Sequence, residues 1–189
     1  MNRRDAIGRV ALLMGGTIIG AEFFLSGCKP TASKVEDLFE ADDVAFFNEV
    51  GDTIIPETNT PGAKAVNIGN FMAVMVRDCY KPEDQRIFLT SKDNINKESK
   101  KQFGKDFVNC DIKQRTAVLN TLDTEQKEYN KHKDKKAPNH YFRMVKELTL
   151  LGYFTSKPGC TQALRYVAIP GKYEGDVPYK KGDRAWATR

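Results

Sequence analysis

Apolar residues recur at helical spacing through most of this chain, and polar breaks divide the pattern into segments. Val44, Phe47, Gly51, Ile54 and Ile55 mark one face of a first helix. Pro56 ends it, because the residue before a proline is pushed out of the right-handed helical region. A polar Glu57-Thr-Asn-Thr60 follows. Pro61-Gly62 then reads as a turn, proline fixing φ at the second position and glycine accepting a positive φ at the third. A second apolar face begins at once with Ile68, Phe71, Met72, Met75, Val76 and Cys79. Asp52 to Ala63 is therefore a rigid corner between two amphipathic helices, and the rest of the chain is organised around it.

Downstream the helical pattern thins and then recovers. Pro82 suits the first turn of a helix, with Glu83 and Asp84 at its positive end and sparse apolar positions at Ile87, Leu89 and Ile95. Phe103, Phe107 and Val108 make a small anchor. Asp111-Ile-Lys-Gln114 has the form of a capping box, after which Ile112, Val118, Leu119 and Leu122 face the core. Asn139 can cap a last helix with an apolar face of Tyr141, Phe142, Val145, Leu148 and Leu151, closed by Gly152 in a left-handed terminal position. The final stretch, from Tyr153-Phe154 through Tyr166 and Tyr173 to Trp186, is rich in aromatics, Pro and Gly and has no helical period. The expected fold is mostly α: a single compact helical domain with an extended carboxy-terminal tail.

The first 37 residues follow different rules. Arg3-Arg4 sit in a short basic region, and a glycine-rich apolar run from Val10 to Ala21 is shorter than the roughly 20 residues of a membrane span. It fits the apolar core of an export signal. Leu25-Ser-Gly-Cys28 then has the order of a lipobox, which makes Cys28 the lipidated first residue of the mature protein. Residues 1–27 are read as the signal, 28–37 as a lipidated tether and 38–189 as the folded domain. Twin arginines suggest export of an already folded protein. The implied location is a bacterial cell envelope, anchored to a membrane and facing the periplasm.

Composition narrows the function. The chain has 189 residues and a formal charge of +5. Removing residues 1–27 leaves +4 with no concentrated basic stripe, which argues against nucleic acid. Glu125 to Lys136 holds five lysines among three acids, a solvated helix end or, given Cys28, a surface for anionic lipid. His132 and His140 lack acidic or cysteine company at ligand spacing. No dinucleotide fingerprint, P-loop or nucleophile elbow occurs. Of the mature cysteines, Cys79 and Cys160 are the candidate disulfide, with Cys110 a buried free thiol or a link to a partner. Candidate catalytic, cofactor-binding and metal-binding residues are none.

Three stretches occur in order: Asp52-Thr-Ile-Ile-Pro56 with Pro61-Gly62-Ala63, then Leu151-Gly-Tyr-Phe-Thr155, then Ile169-Pro-Gly-Lys-Tyr173. With the export signal they resemble the gluconate 2-dehydrogenase subunit 3 family, over about residues 38–186. The resemblance implies the small subunit of a membrane-associated FAD-dependent sugar or polyol dehydrogenase. In such a complex a large GMC-type flavoprotein holds FAD and does the chemistry, and a cytochrome c subunit or other acceptor takes the electrons. The small subunit then supports export, folding or anchoring, with Arg3 and Arg4 as the shared export address. Tyr153, Phe154, Tyr166, Tyr173 and Trp186 are the candidate contact surface, because aromatic side chains carry much of the energy at interface centres. The alternative is a stand-alone envelope lipoprotein binding a carbohydrate or protein.

Overall fold

A computed structural model describes residues 38–134, 137–169, 171–172 and 175–188, all within one compact unit, Val35–Arg189. Arg3, Arg4, Cys28, the tether and Tyr173 lie outside the described residues. Among those described, six α-helices account for most of the chain: α1 (Ala41–Ile54), α2 (Ile68–Cys79), α3 (Pro82–Leu89), α4 (Ser91–Phe103), α5 (Ile112–His132) and α6 (Tyr141–Thr155). A single 3₁₀ turn, Ala63–Val66, leads into α2, and another, Phe107–Asn109, precedes α5. A π turn, Gly159–Ala163, follows α6. A short parallel ladder, β1 (Arg165–Tyr166) with β2 (Trp186–Thr188), closes the chain.

Local signals start and stop these helices as physical chemistry requires. The Glu40 amide donates to Asp43 Oδ2 at 3.0 Å, and acidic Asp42 and Asp43 occupy the positive first turn of α1. α1 ends at Ile54, just ahead of Pro56. The capping box of α5 forms as expected: Gln114 N donates to Asp111 Oδ1 at 2.9 Å, and Asp111 N to Gln114 Oε1 at 3.2 Å. Helix ends that lack their own caps borrow one. Asn48 Oδ1 on α1 accepts from the Gly69 amide at 2.8 Å, and Gln85 Nε2 on α3 reaches the Val76, Arg77 and Tyr80 carbonyls that end α2.

α6 packs on every other helix. It buries Phe142, Met144, Val145, Leu148, Thr149, Gly152 and Tyr153. α1 and α2 cross close together, because Gly51 and Gly69 leave no side chain between them. A Cβ at Gly69 would press into the Val44 carbonyl, and one at Gly51 into Ile68 Cγ2. Beyond this crossing, five phenylalanines join α1 to the later helices. Phe47 lies 4.9 Å from Phe88 and 5.5 Å from Phe46 between ring centroids, with Phe39 and Phe107 at the ends of the chain of contacts.

Several expectations need correction. Gly62 has φ −78°, so no positive φ is used there; its hydrogen atom faces Glu57 N, Asp52 Oδ1 and the Ile55 carbonyl, where a Cβ would not fit. Gly152 does not end α6, which continues to Thr155; it sits under Ile68 and Phe71 of α2. The weak pattern after Pro82 is two helices, parted at Thr90; Ile95 is buried as expected, but the core residue of the first is Phe88, with Leu89 exposed. Ile112, in the first turn of α5, is 74% exposed, and Leu151 and Val108 also face outward. α6 is capped by His140, whose Nδ1 accepts from Phe142 N at 3.3 Å, and not by Asn139.

The crossing at Gly69 generates a stability test. Gly69→Ala gains helix propensity but drives a methyl group into backbone that cannot rotate aside. It should destabilise the fold by about 1–3 kcal/mol, as overpacking does. Chemical denaturation followed by circular dichroism measures this, and an unchanged or higher midpoint would contradict the crossing as described.

Candidate functional site

The corner and the Leu151–Thr155 stretch, far apart in sequence, meet in space. Tyr153 is buried, and its hydroxyl donates to the Pro61 carbonyl at 2.7 Å, with Thr60 Oγ1 at 3.5 Å. Inside the corner Ala63 N donates to the Ile55 carbonyl at 2.9 Å and Thr58 N to the Thr60 carbonyl at 3.0 Å. The loop thus closes on its own backbone and is tied down by one phenol. The adjacent Asn67 is in the left-handed region (φ 52°), which asparagine tolerates, and its Oδ1 accepts from Asn48 Nδ2 at 3.0 Å. Tyr153 is therefore a core residue, not part of a contact surface. Phe154 packs edge-on to it at 5.2 Å and stays partly exposed.

A polar network the sequence did not disclose backs the corner. Glu49 on α1 takes Lys64 from the 3₁₀ turn and Arg115 Nη1 from α5 at 2.6 Å. Arg115 also donates to the Phe107 and Val108 carbonyls, at 3.2 and 2.6 Å, and lies over the Phe107 ring at 5.5 Å. The Lys64 hydrogen bond, against the opposing effect of burial and with help from Arg115, holds the Glu49 carboxyl below its ordinary range. Sixty-six residues separate Glu49 from Arg115, so no local pattern could have signalled the pair.

Asp123 and His140 are similarly committed to neighbours. Burial alone would raise the Asp123 carboxyl, but Lys127 at 2.6 Å, Lys146 at 2.5 Å and Gln126 hold it at about 2. Burial pushes His140 down, opposed by Glu125 at 3.6 Å, and its ring lies 4.3 Å from Tyr141 and 5.6 Å from Tyr129. Among the described residues no three His, Cys, Asp or Glu side chains gather where a metal could bind, and no helix is long and apolar enough to cross a membrane.

The thiols do not pair as expected. Cys79, Cys110 and Cys160 are all free. Cys160 Sγ donates to the Phe154 carbonyl at 3.0 Å, beside the end of α6. Cys79 is exposed at the far end of α2, about 16 Å along that helix from Ile68, the residue that touches Gly152 of α6. A disulfide needs Cα atoms within about 7 Å. Cys110 is buried, its Sγ 3.2 Å from Ser99 Oγ.

Surface clefts among the described residues include three of note. A 590 Å³ groove between α5 and α6 is lined by Lys127, Glu128, Lys131, Arg143, Lys146 and Glu147. A 270 Å³ cleft lies at Thr53, Asn120 and Asp123, and a 400 Å³ cleft at Glu40, Asp43 and Lys92. The groove's charges are largely satisfied within the chain, Lys131 by Glu128 at 2.6 Å and Arg143 by Glu147 at 2.7 Å.

The carboxy-terminal aromatics divide. Trp186 stacks under the Arg165 guanidinium at 4.4 Å, and Arg165 N donates to the Ala185 carbonyl at 2.8 Å, so Trp186 helps to close the tail on itself. Tyr166 is exposed beside it.

With this geometry in place, comparison with known proteins is decisive at the level of family. The profile named gluconate 2-dehydrogenase subunit 3 matches residues 41–171. The chain belongs to that family. The match spans the whole helical body, from the first residue of α1 to just beyond β1. No curated protein and no solved structure matches the chain.

Two measurements test the site. Tyr153→Phe leaves the Pro61 carbonyl without its partner and should cost about 1–3 kcal/mol; an unchanged denaturation midpoint would mean the phenol is not a tie. His140 titrates lower in the folded than in the unfolded chain, so the unfolded chain binds more protons just below pH ~6.5 and stability rises with pH through that window. The melting temperature should therefore increase between about pH 5.5 and about pH 7.5, and His140→Asn, which keeps the cap but not the titration, should flatten that slope.

Proposed function

We propose that this chain is the non-catalytic accessory subunit of an envelope-located dehydrogenase complex, in which a separate large GMC-type flavoprotein holds FAD and oxidises a sugar, polyol or glycoside. One observation carries the reading: the family match covers the entire helical body. The side-chain chemistry agrees with it. Glu49, Asp123 and His140 are spent on Lys64 and Arg115, on Lys127 and Lys146, and on a helix cap. What the body offers is a rigid scaffold that presents a surface.

Delivery belongs to the amino terminus in this reading. Arg3 and Arg4 address the assembled pair for export, and Cys28 carries the lipid that holds it to a membrane facing the periplasm. Electrons leave through a cytochrome c subunit or another acceptor.

Purification of the tagged chain from its own cells tests the proposal. The complex should be yellow with flavin and oxidise sugars with an artificial acceptor, whereas the chain expressed alone should be colourless and inactive. Arg3→Lys/Arg4→Lys should strand the signal-less flavoprotein in the cytoplasm, and Cys28→Ala should shift the complex from the membrane to the soluble fraction. Flavin in the isolated chain, or a tagged chain that elutes alone from its own cells, would defeat the reading.

A further inference from the structure

The tail is a closed loop rather than a loose end. β1 and β2 pair in parallel with Arg165 opposite Trp186, so residues 167–185 leave and return at one point. A two-stranded ladder is marginal by itself. Side chains reinforce it here: Arg165 covers Trp186, its Nη1 lies 3.8 Å from Asp183, and Arg184 Nη1 donates to the Gln162 carbonyl at 2.5 Å. The returning limb is therefore anchored both to the outgoing limb and to the π turn at the end of α6.

What this clasp holds outward is apolar. Ile169 is 85% and Tyr179 84% exposed, the highest values for large apolar side chains among the described residues. The carboxy-terminal stretch that contains this loop also carries the protein's charge imbalance. Residues 38–156 contain eighteen Lys or Arg and eighteen Asp or Glu, whereas residues 157–189 contain seven against three. The excess of four positive charges left after the signal is removed thus lies in the tail, with Lys180 and Lys181 exposed beside Tyr179.

From this we infer that the clasped loop is the docking arm for the large subunit: Ile169 and Tyr179 seat in an apolar recess of that protein, and the cationic flank faces an acidic rim around it. This rests on the accessory-subunit reading and gives it a surface. Complementary charge steers encounter and sets register, while buried aromatic and aliphatic anchors carry the affinity. A protein partner suits the loop better than a lipid surface, because two separate apolar anchors on a shaped, acid-interrupted loop provide little area for insertion into a bilayer. Presenting the anchors on a loop already closed lowers the ordering cost of association.

The test uses the full-length tagged chain in its own cells, comparing wild type, Ile169→Asp/Tyr179→Asp and the milder Ile169→Ala/Tyr179→Ala. Flavin absorbance and mass-spectrometric identification of the large subunit are read on each eluate. The aspartate pair should reduce co-eluting flavoprotein about tenfold or more, the alanine pair less, with melting temperatures unchanged because neither side chain belongs to the core. Raising salt from about 0.1 M to about 1 M, which shortens the Debye length from about 10 Å to about 3 Å, should slow re-association of separated subunits. Full flavoprotein recovery with the aspartate pair would overturn the docking arm and leave the accessory-subunit reading intact. Loss of binding to phosphatidylglycerol vesicles, or of a wild-type dimer, with flavoprotein recovery unaffected would overturn it in favour of a membrane or a second copy. A wild-type chain that brings down no flavoprotein would overturn both readings.

Discussion

The side chain of Ile68 occupies space that two glycines leave open. Its Cγ2 stands where a Cβ on Gly51 of α1 would be, and its Cδ1 where a Cβ on Gly152 of α6 would be. One fully buried isoleucine at the first position of α2 therefore sets the spacing of three helices at once. Packed interiors have few voids and tolerate little change in volume. The crossing angle, the position of the corner and the seat of Tyr153 all follow from this notch. Gly69 extends the same constraint to backbone, bringing the start of α2 against the Val44 carbonyl.

The corner is best understood as a consequence. With α1 and α2 drawn together, the chain between Ile55 and Ala63 must reverse within a few residues, and its carbonyls need donors. Ala63 N supplies one and the Tyr153 hydroxyl another. Two of the stretches that carry the family resemblance are thus halves of a single structural device. Their residues hold helices in register, and this explains why the most recognisable parts of the chain hold little exposed chemistry. The third stretch is different. It begins at Ile169 in the clasped loop, whose side chain faces solvent.

How much of this the sequence disclosed depends on the range of the interaction. Pro56, Pro82 and the Asp111–Gln114 box act on their own neighbours, and each helix boundary they imply is present. Gly62 and Gly152 were legible as special positions but for the wrong reason. Conformational freedom is the usual use of glycine in a turn or at a helix end, whereas here both make room for other atoms, Gly62 for those of its own corner and Gly152 for Ile68 and Phe71, distant in sequence. Phe88, Arg115 and the two strands left no local mark, since their partners lie tens of residues away. Ile112 and Leu151 fit an apolar period and still face solvent, because a stripe says which residues could share a face and not which neighbour arrives to cover it. The split of the contact aromatics has the same origin: Tyr153 and Trp186 are taken by Pro61 and Arg165, choices made only once the chain has folded.

A body locked by notches and a loop tied at one point evolve under different constraints. Within the body, a substitution at Gly51, Gly69, Gly152 or Tyr153 alters helix spacing and so is felt everywhere. In the loop, Ile169 and Tyr179 touch little of their own chain, and exposed substitutions of this kind usually change stability by less than about 0.5 kcal/mol. The clasp is what makes the separation work. Arg165, Asp183, Arg184 and Trp186 fix the two ends of the loop, so the residues between them can change without disturbing α6. Charge follows the same division, with the helical body balanced and the excess confined to the tail. A partner of different shape or charge can thus be accommodated by altering residues 167–182 alone, while the scaffold that defines the family stays as it is.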